Sequence, residues 1–484
     1  MPKRHCILFF FVFFLSLFLA SRSALHERVF LYVLHQIESE ALEPVKKDEL
    51  LAGAFVGMVQ TAPDYPYTSW LPLKEKIEYE GELQGKIGGI GIFHLRKELP
   101  SGEFSFIPLP ATPASKAGLQ YGDRIVKVDN TDVSKYPIME ILGLLRGDQG
   151  TSVSLSIRRP GSKELKNIKI VRDTIQQEII CGDYRNPDGS WNFTLEDDPS
   201  IGYIKITQFA DLTVPLFDLA VNSIVKKEAK GIILDFRGNP GGFLPAAAGI
   251  CDYFLPAGSK IVTTRRRDGS VKREFFASAK KKVDLPLVVL IDEGSASASE
   301  IVSACLQDYK RAAIVGSRSY GKGTVQELFP LPCGMGLLRL TDASFWRPSG
   351  VPLHRFHNSK DSDPWGVHPD PNNEIPLSEF QSIVLRWIQD LRGSLDADQA
   401  KLAIANVLKE MESFRKRVQS AKTKIELKKI YQDFGLPYSE EQNPESESKT
   451  DQKKTFELPD LKLEGKDPRF DPQLDRAIQV LKNQ

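Results

Sequence analysis

An α/β fold is what the middle of this chain predicts, and three apolar runs predict it. Gly231-Ile-Ile-Leu-Asp-Phe236, Leu285–Ile291 and Ala312–Gly316 are short, continuous and bounded by turn residues, as strands buried on both faces are. Helix-like segments, Phe243–Phe254 and Glu300–Tyr309, follow the first two. Strand–helix–strand alternation of this kind implies largely parallel connections. It fills residues from about 180 to 375.

Outside that block the texture changes. Lys3 and Arg4 precede Ile7–Ala20, a 14-residue run rich in Phe and Leu, and then Ser21-Arg-Ser-Ala24. A helix of that length spans about 21 Å, short of a ~30 Å hydrocarbon core. Residues 1–24 therefore read as a secretory signal peptide, with an uncleaved membrane anchor as the alternative. Either way the chain is expected to be exported, periplasmic or otherwise extracytoplasmic, and membrane-associated if the leader stays. Cys6 belongs to the leader; Cys181, Cys251, Cys305 and Cys333 form no CxxC pattern, and their pairing cannot be read from spacing.

Residues 25–76 read as a helical segment, with Val29, Phe30, Val33, Leu34 and Ile37 at helical intervals and a second patch over Leu50–Met58. Residues 77–175 are short strands punctuated by glycine. Beyond Pro376, Ser378–Leu391 and Ala397–Tyr431 read as long amphipathic helices. A polar linker is expected near 439–454, and a last helix over Asp471–Leu481. Charge is balanced, 64 Lys and Arg against 63 Asp and Glu, so nothing in bulk electrostatics favours a nucleic-acid partner.

Ser297, in Gly294-Ser-Ala-Ser-Ala-Ser-Glu300, sits where an apolar strand gives way to a helix. That layout exposes a nucleophile at the end of a sheet and aims helix N-terminal amides at a developing oxyanion. Ser297-x-x-Glu300 is equally a capping box, which inert helices also carry. Lys322 follows in Gly321-Lys-Gly-Thr-Val-Gln326. The run Gly316-x4-Gly321-Lys322 imitates a phosphate-binding loop, but Gly323 stands where Ser or Thr would ligate magnesium. A lysine drawn into a dry site is instead a candidate base. Lowering its pKa from ~10.4 to ~7 costs about 4.6 kcal/mol, within reach of burial.

No histidine replaces it. His26, His35, His94, His354, His357 and His368 have no triad context, and His354-x-x-His357 lacks a third ligand, so no metal is expected. Gln326 lies four residues after Lys322, and the spacing leaves open whether the side chains meet. Gly241 and Gly242, after Asp235-Phe-Arg-Gly-Asn-Pro240, end a strand where backbone can approach a ligand; they also suit a plain turn.

Taken in order, these motifs resemble those of the C-terminal processing peptidases (tail-specific proteases), a Ser-Lys class of serine endopeptidase. Leu234–Gly242, Gly294–Ile301 and Gly321–Gln326 carry the resemblance, joined by Thr341-Asp-Ala-Ser-Phe-Trp-Arg-Pro-Ser-Gly350 and Gly366-Val-His-Pro-Asp370. It implies a crotonase/ClpP-like α/β protease core over 176–375, an inserted PDZ domain of mixed β with short helices over 77–175, and flanking N- and C-terminal helices. It also implies Ser297 as nucleophile, Lys322 as base and Gln326 as the group orienting the lysine. Backbone amides of Ala298 and of Gly241 or Gly242 would hold the oxyanion, with no cofactor.

Gly88, Gly89, Ile90, Gly91, Ile92 and Phe93 would form the carboxylate-binding loop and strand of the PDZ domain. Protein substrates with exposed apolar C-terminal tails would be the partners. The terminal helices at 26–60 and 397–431 offer a surface for a homodimer. Two departures stand out: Phe236 where the family more often has Leu, and a longer segment over 353–365. A PDZ-bearing scaffold on a dead protease fold and a phosphate-binding NTPase are the competing readings.

Overall fold

The computed structural model describes residues 25–97, 101–186, 188–278, 283–395, 397–421, 423–433 and 471–484. The expected signal segment and the linker near 439–454 lie outside the described residues. Among the described residues no helix is long and apolar enough to cross a membrane. The chain forms two compact units, one of residues up to Lys76 with Gln326–Asp342, the other of Ile77–Val325 with Ala343–Gln484.

The smaller unit is helical over 25–40 and Lys47–Gln60. Its strand Ser69–Leu71 pairs antiparallel with Leu337–Arg339. The Trp70 indole donates to Met335 O at 2.7 Å and packs on Phe55, ring centroids 5.4 Å apart. This pairing joins 326–342 to the N-terminal helical segment across more than 260 residues.

In the larger unit, a five-stranded sheet runs in the order Ile180–Cys181, Ile201–Ile206, Gly231–Asp235, Leu287–Ile291, Ala313–Gly316. All neighbours are parallel except the first pair. Strand order follows chain order, so every crossover steps the same way. Right-handed crossovers then deliver every connecting helix to one face. Helices Thr213–Lys226, Leu244–Asp252 and Ala298–Asp308 do share one buried cluster with Ile204, Leu234, Val289, Ile291 and Ile314. The opposite face carries Tyr203, Ile233, Val288, Leu290 and Val315, and the C-terminal helix Pro472–Lys482 covers it through Leu474, Ala477 and Leu481. Both faces are thus dry, which is why these strands are apolar but for Lys205 and Asp235 near their ends.

The glycine-rich segment forms its own sheet, ordered Ile92–Lys97, Phe104–Pro108, Arg124–Val128, Ser152–Arg158, Leu165–Val171, with helix Ile138–Leu145 beside it. Ile92–Lys97 is the edge strand on the side of the glycine loop 88–91. The C-terminal helices Glu379–Ser394, Ala397–Ser420 and Lys424–Asp433 bury Trp387, Leu391, Met411, Phe414 and Tyr431 together, and take in Ile107 from the second strand of that sheet. The single helix expected over Ala397–Tyr431 is two. Thr423 breaks it, its Oγ1 accepting the Glu426 N–H at 3.1 Å as an N-cap for the second.

Candidate active site

Strand Leu287–Ile291 ends at Asp292, and helix Ala298–Asp308 starts six residues later. Between them Ser297 sits at φ 55°, ψ −112°, a conformation that costs a non-glycine residue about 1–3 kcal/mol and persists only where neighbours enforce it. The enforcers are identifiable. Asn239 O accepts the Ala296 N–H at 3.0 Å and the Ser299 hydroxyl at 3.1 Å. Asn239 Nδ2 donates to Ile206 O, and its Oδ1 accepts the Gly241 N–H at 2.8 Å. One buried asparagine therefore ties the glycine loop to the serine loop.

Glu300 joins the serine loop to the lysine loop. Its side chain is fully buried. Oε2 accepts the N–H of Ser297 at 2.7 Å and of Lys322 at 2.9 Å; Oε1 accepts the Ser319 hydroxyl at 2.6 Å and the Gly321 N–H at 2.7 Å. Burial pushes this carboxyl up to about 7, against the four hydrogen bonds that favour its ionised form. Its role extends well beyond the cap that the sequence suggests.

The glycines around Lys322 have a packing cause. A Cβ on Gly323 would lie 2.2 Å from His354 N, and one on Gly321 2.7 Å from the Trp365 ring. Phe345 N–H and Arg355 N–H bond to Gly323 O and Gly321 O at 2.7 and 2.9 Å. The loop is shaped to lie against the segment 353–365. Gln326 falls in the smaller unit, where its amide donates to Thr341 Oγ1 at 3.0 Å.

A buried ion cluster sits just before the glycine loop. Arg237 donates to both oxygens of Asp235 (2.9 and 2.6 Å), both of Asp471 (2.7 and 2.8 Å) and Gln473 Oε1. The Tyr203 hydroxyl donates to Asp235 Oδ2 at 2.7 Å. Burial works against the Asp235 carboxylate, but the adjoining guanidinium overrides it and holds it down to about 2.

In the glycine-rich domain, Gly88 and Gly89 close a short strand, and Ile90 is buried in the domain's core. Gly91 has φ 78°, and a Cβ there would lie 2.3 Å from Thr112 Cβ. Its carbonyl accepts the Leu109 N–H at 2.9 Å and the Thr112 hydroxyl at 3.0 Å. Ile92 and Phe93 open the edge strand. All six line one cavity of about 580 Å³ together with Leu142 and Leu145 of the adjacent helix.

A model of peptidase family S41 matches residues 200–371, and a PDZ-domain model matches residues 108–159. The chain is 32% identical over 352 residues to a carboxy-terminal-processing protease of Bartonella bacilliformis, covering 72% of this chain and 75% of that protein. It is 32% identical over 342 residues to the carboxy-terminal processing protease CtpA of Bacillus subtilis, covering 70% and 67%. The chain belongs to the carboxy-terminal processing proteases of peptidase family S41. Among solved structures, a photosystem II D1 C-terminal processing protease is similar at 24% identity, with a TM-score of 0.42 over 76% of this chain and 91% of that one.

Membership makes the chain a serine protease of the S41 fold with a PDZ domain that binds peptide tails. In this protease Gly241 needs to be glycine: φ is 98°, and a Cβ would lie 2.6 Å from Ala296 O and 2.7 Å from Ser297 Cβ. Gly241→Ala is expected to displace the serine loop and lower kcat more than about tenfold, with a lower Tm. Wild-type kcat in that variant would show that the loop relaxes freely. Asn239 and the Asp235–Arg237 pair escaped the sequence reading. The one signal was a carboxylate and a guanidinium two residues apart at the end of an otherwise apolar strand, where burial demands partners.

Proposed function

We propose that this protease is an exported endopeptidase that cleaves proteins near their C-termini, with Ser297 as nucleophile and Lys322 as general base. One observation carries the reading: Glu300 Oε2 accepts the backbone N–H of both residues, so a single oxygen atom gathers the two loops. Ser297 Oγ attacks the scissile carbonyl carbon as its proton passes to the Lys322 amine. The developing oxyanion is held by amides, and Ala298 N–H at the first position of its helix supplies one, unclaimed within the helix.

The second donor is Gly242 rather than Gly241. The Gly241 N–H is spent on Asn239, and Gly241 O accepts from Phe209 N–H at 2.9 Å. A trans peptide points its N–H opposite to its carbonyl, so the Gly242 N–H is directed away from Phe209. As the tetrahedral intermediate collapses, Lys322 returns the proton to the leaving amine. Water then attacks the acyl-enzyme, Lys322 again taking the proton and passing it to Ser297 Oγ as the C–Oγ bond breaks. Export rests on the basic start and apolar run of residues 3–20.

Cleavage of an unstructured protein carrying an apolar C-terminus tests the reading. Ser297→Ala and Lys322→Ala should each lower kcat by at least about 10³-fold. Either variant staying within about tenfold of wild type would overturn the assignment.

A further inference from the structure

The cavity at the PDZ groove is not walled by the PDZ domain alone. Its lining includes Leu385, Ile388 and Gln389 of the helix Glu379–Ser394, a segment beyond both family-model matches. We propose that this helix is the second wall of the tail site, so that a substrate's C-terminal tail is read on both faces, its last side chain by the PDZ pocket and its penultimate one by Leu385 and Ile388. This rests on the tail-binding reading above and specifies the substrate class.

Strand register supports it. Residues directly opposite in an antiparallel pair share a face, and Phe93 pairs with Ile107. Ile107 is buried in the cluster of the C-terminal helices, together with Ile388. Ile92, one residue before Phe93, packs instead on the PDZ core with Ile90 and Leu145. The two sides of the edge strand therefore face different walls. A tail added along that edge inherits the same period-two alternation. One residue enters the pocket of Ile90, Leu142 and Leu145, and the next points toward the helix.

The helical wall is anchored. Lys205 Nζ donates to Gln389 Oε1 at 2.5 Å, Arg185 Nε to Gly393 O at 2.5 Å, and Arg392 pairs with Asp183 and Glu196 at 3.3 and 3.0 Å. Asp390 and Ser394 of the same helix also line the cavity, and its apolar groups there are Leu385 and Ile388. The matching ligand has an apolar penultimate residue as well as an apolar last one.

Binding of fluorescein-labelled decapeptides to the full-length Ser297→Ala protein tests this, using peptides identical except for Leu, Asp or Lys at the penultimate position. The Leu peptide should bind about tenfold tighter than either charged one. Affinities equal within about twofold would overturn the inference. Leu385→Ala should weaken the Leu peptide alone; equal weakening of all three would show that Leu385 merely supports the fold. A C-terminally amidated peptide that binds as tightly as the free acid would sink the tail reading itself, and this inference with it.

Discussion

Glu300→Gln is expected to lower kcat by at least about 100-fold while leaving KM nearly unchanged. The carboxylate takes four donors: three backbone N–H groups, from Ser297, Gly321 and Lys322, and the Ser319 hydroxyl. An amide of the same shape offers one oxygen. Its NH2 must then face two of those donors, turning attraction into repulsion inside a dry site. The serine and lysine loops lose their common anchor, and Ser297 is already held in a costly conformation. Glu300 is fully buried, out of reach of a bound chain, so the loss falls on kcat. Ser319→Ala removes one of the four donors and should cost less, about tenfold or below. Wild-type kcat in Glu300→Gln would show that the loops hold their geometry independently.

The same carboxyl sets a pH dependence of stability. Burial raises it in the folded protein to about 7, above the ~4.3 of an unfolded chain. The folded state therefore binds a proton that the unfolded state has released over that window. The resulting stability is fully present below ~4.3 and is lost as pH rises through about 7. Relative to Glu300→Gln, which cannot titrate, the wild type should gain up to about 3 kcal/mol between pH 8 and pH 4. Thermal melts of the two proteins across that range check the sign. Ionised Glu300 accepts all four hydrogen bonds and neutral Glu300 folds best, so activity and stability pull this residue in opposite directions.

The parallel core was legible because its strands are apolar on both faces, and a dry sheet leaves that mark on local sequence. The two loops that carry Ser297 and Lys322 were legible because glycines and small residues mark both. What escaped was made of polar groups distant in sequence. Arg237 and Asp471 are separated by 234 positions, and no local pattern announces that a surface-type aspartate caps a helix against a buried guanidinium. Asn239 looked like part of a turn; only the fold shows its carbonyl holding the serine loop. The strand at Ser69–Leu71 is three residues long, too short for periodicity to register. Thr423 was hidden for the opposite reason, since an amphipathic pattern continues across the break that it caps.

Deleting residues 471–484 should unfold the protease core or lower its Tm by more than about 10 °C. The chain-order sheet puts every crossover helix on one face, so the helix Pro472–Lys482 is what keeps water off Ile233, Val288, Leu290 and Val315. Burying Leu474 and Leu481 contributes about 1.5–3 kcal/mol each. The deletion also strips Arg237 of Asp471 and Gln473, and removing one partner of a buried ion pair costs about 3–5 kcal/mol. Asp471→Asn isolates that second effect: it retains the helix and its cap but weakens the charge pairing, so its Tm should fall less than the deletion's. Because Arg237 directly precedes Gly238–Gly242, both changes should lower kcat at temperatures where the chain is still folded. Adding the peptide 471–484 in trans should raise the Tm of the truncated protein as its concentration rises. If the deletion melts like wild type, the sheet's second face does not depend on this helix, and the coupling from Asp471 through Arg237 to the glycine loop falls with it.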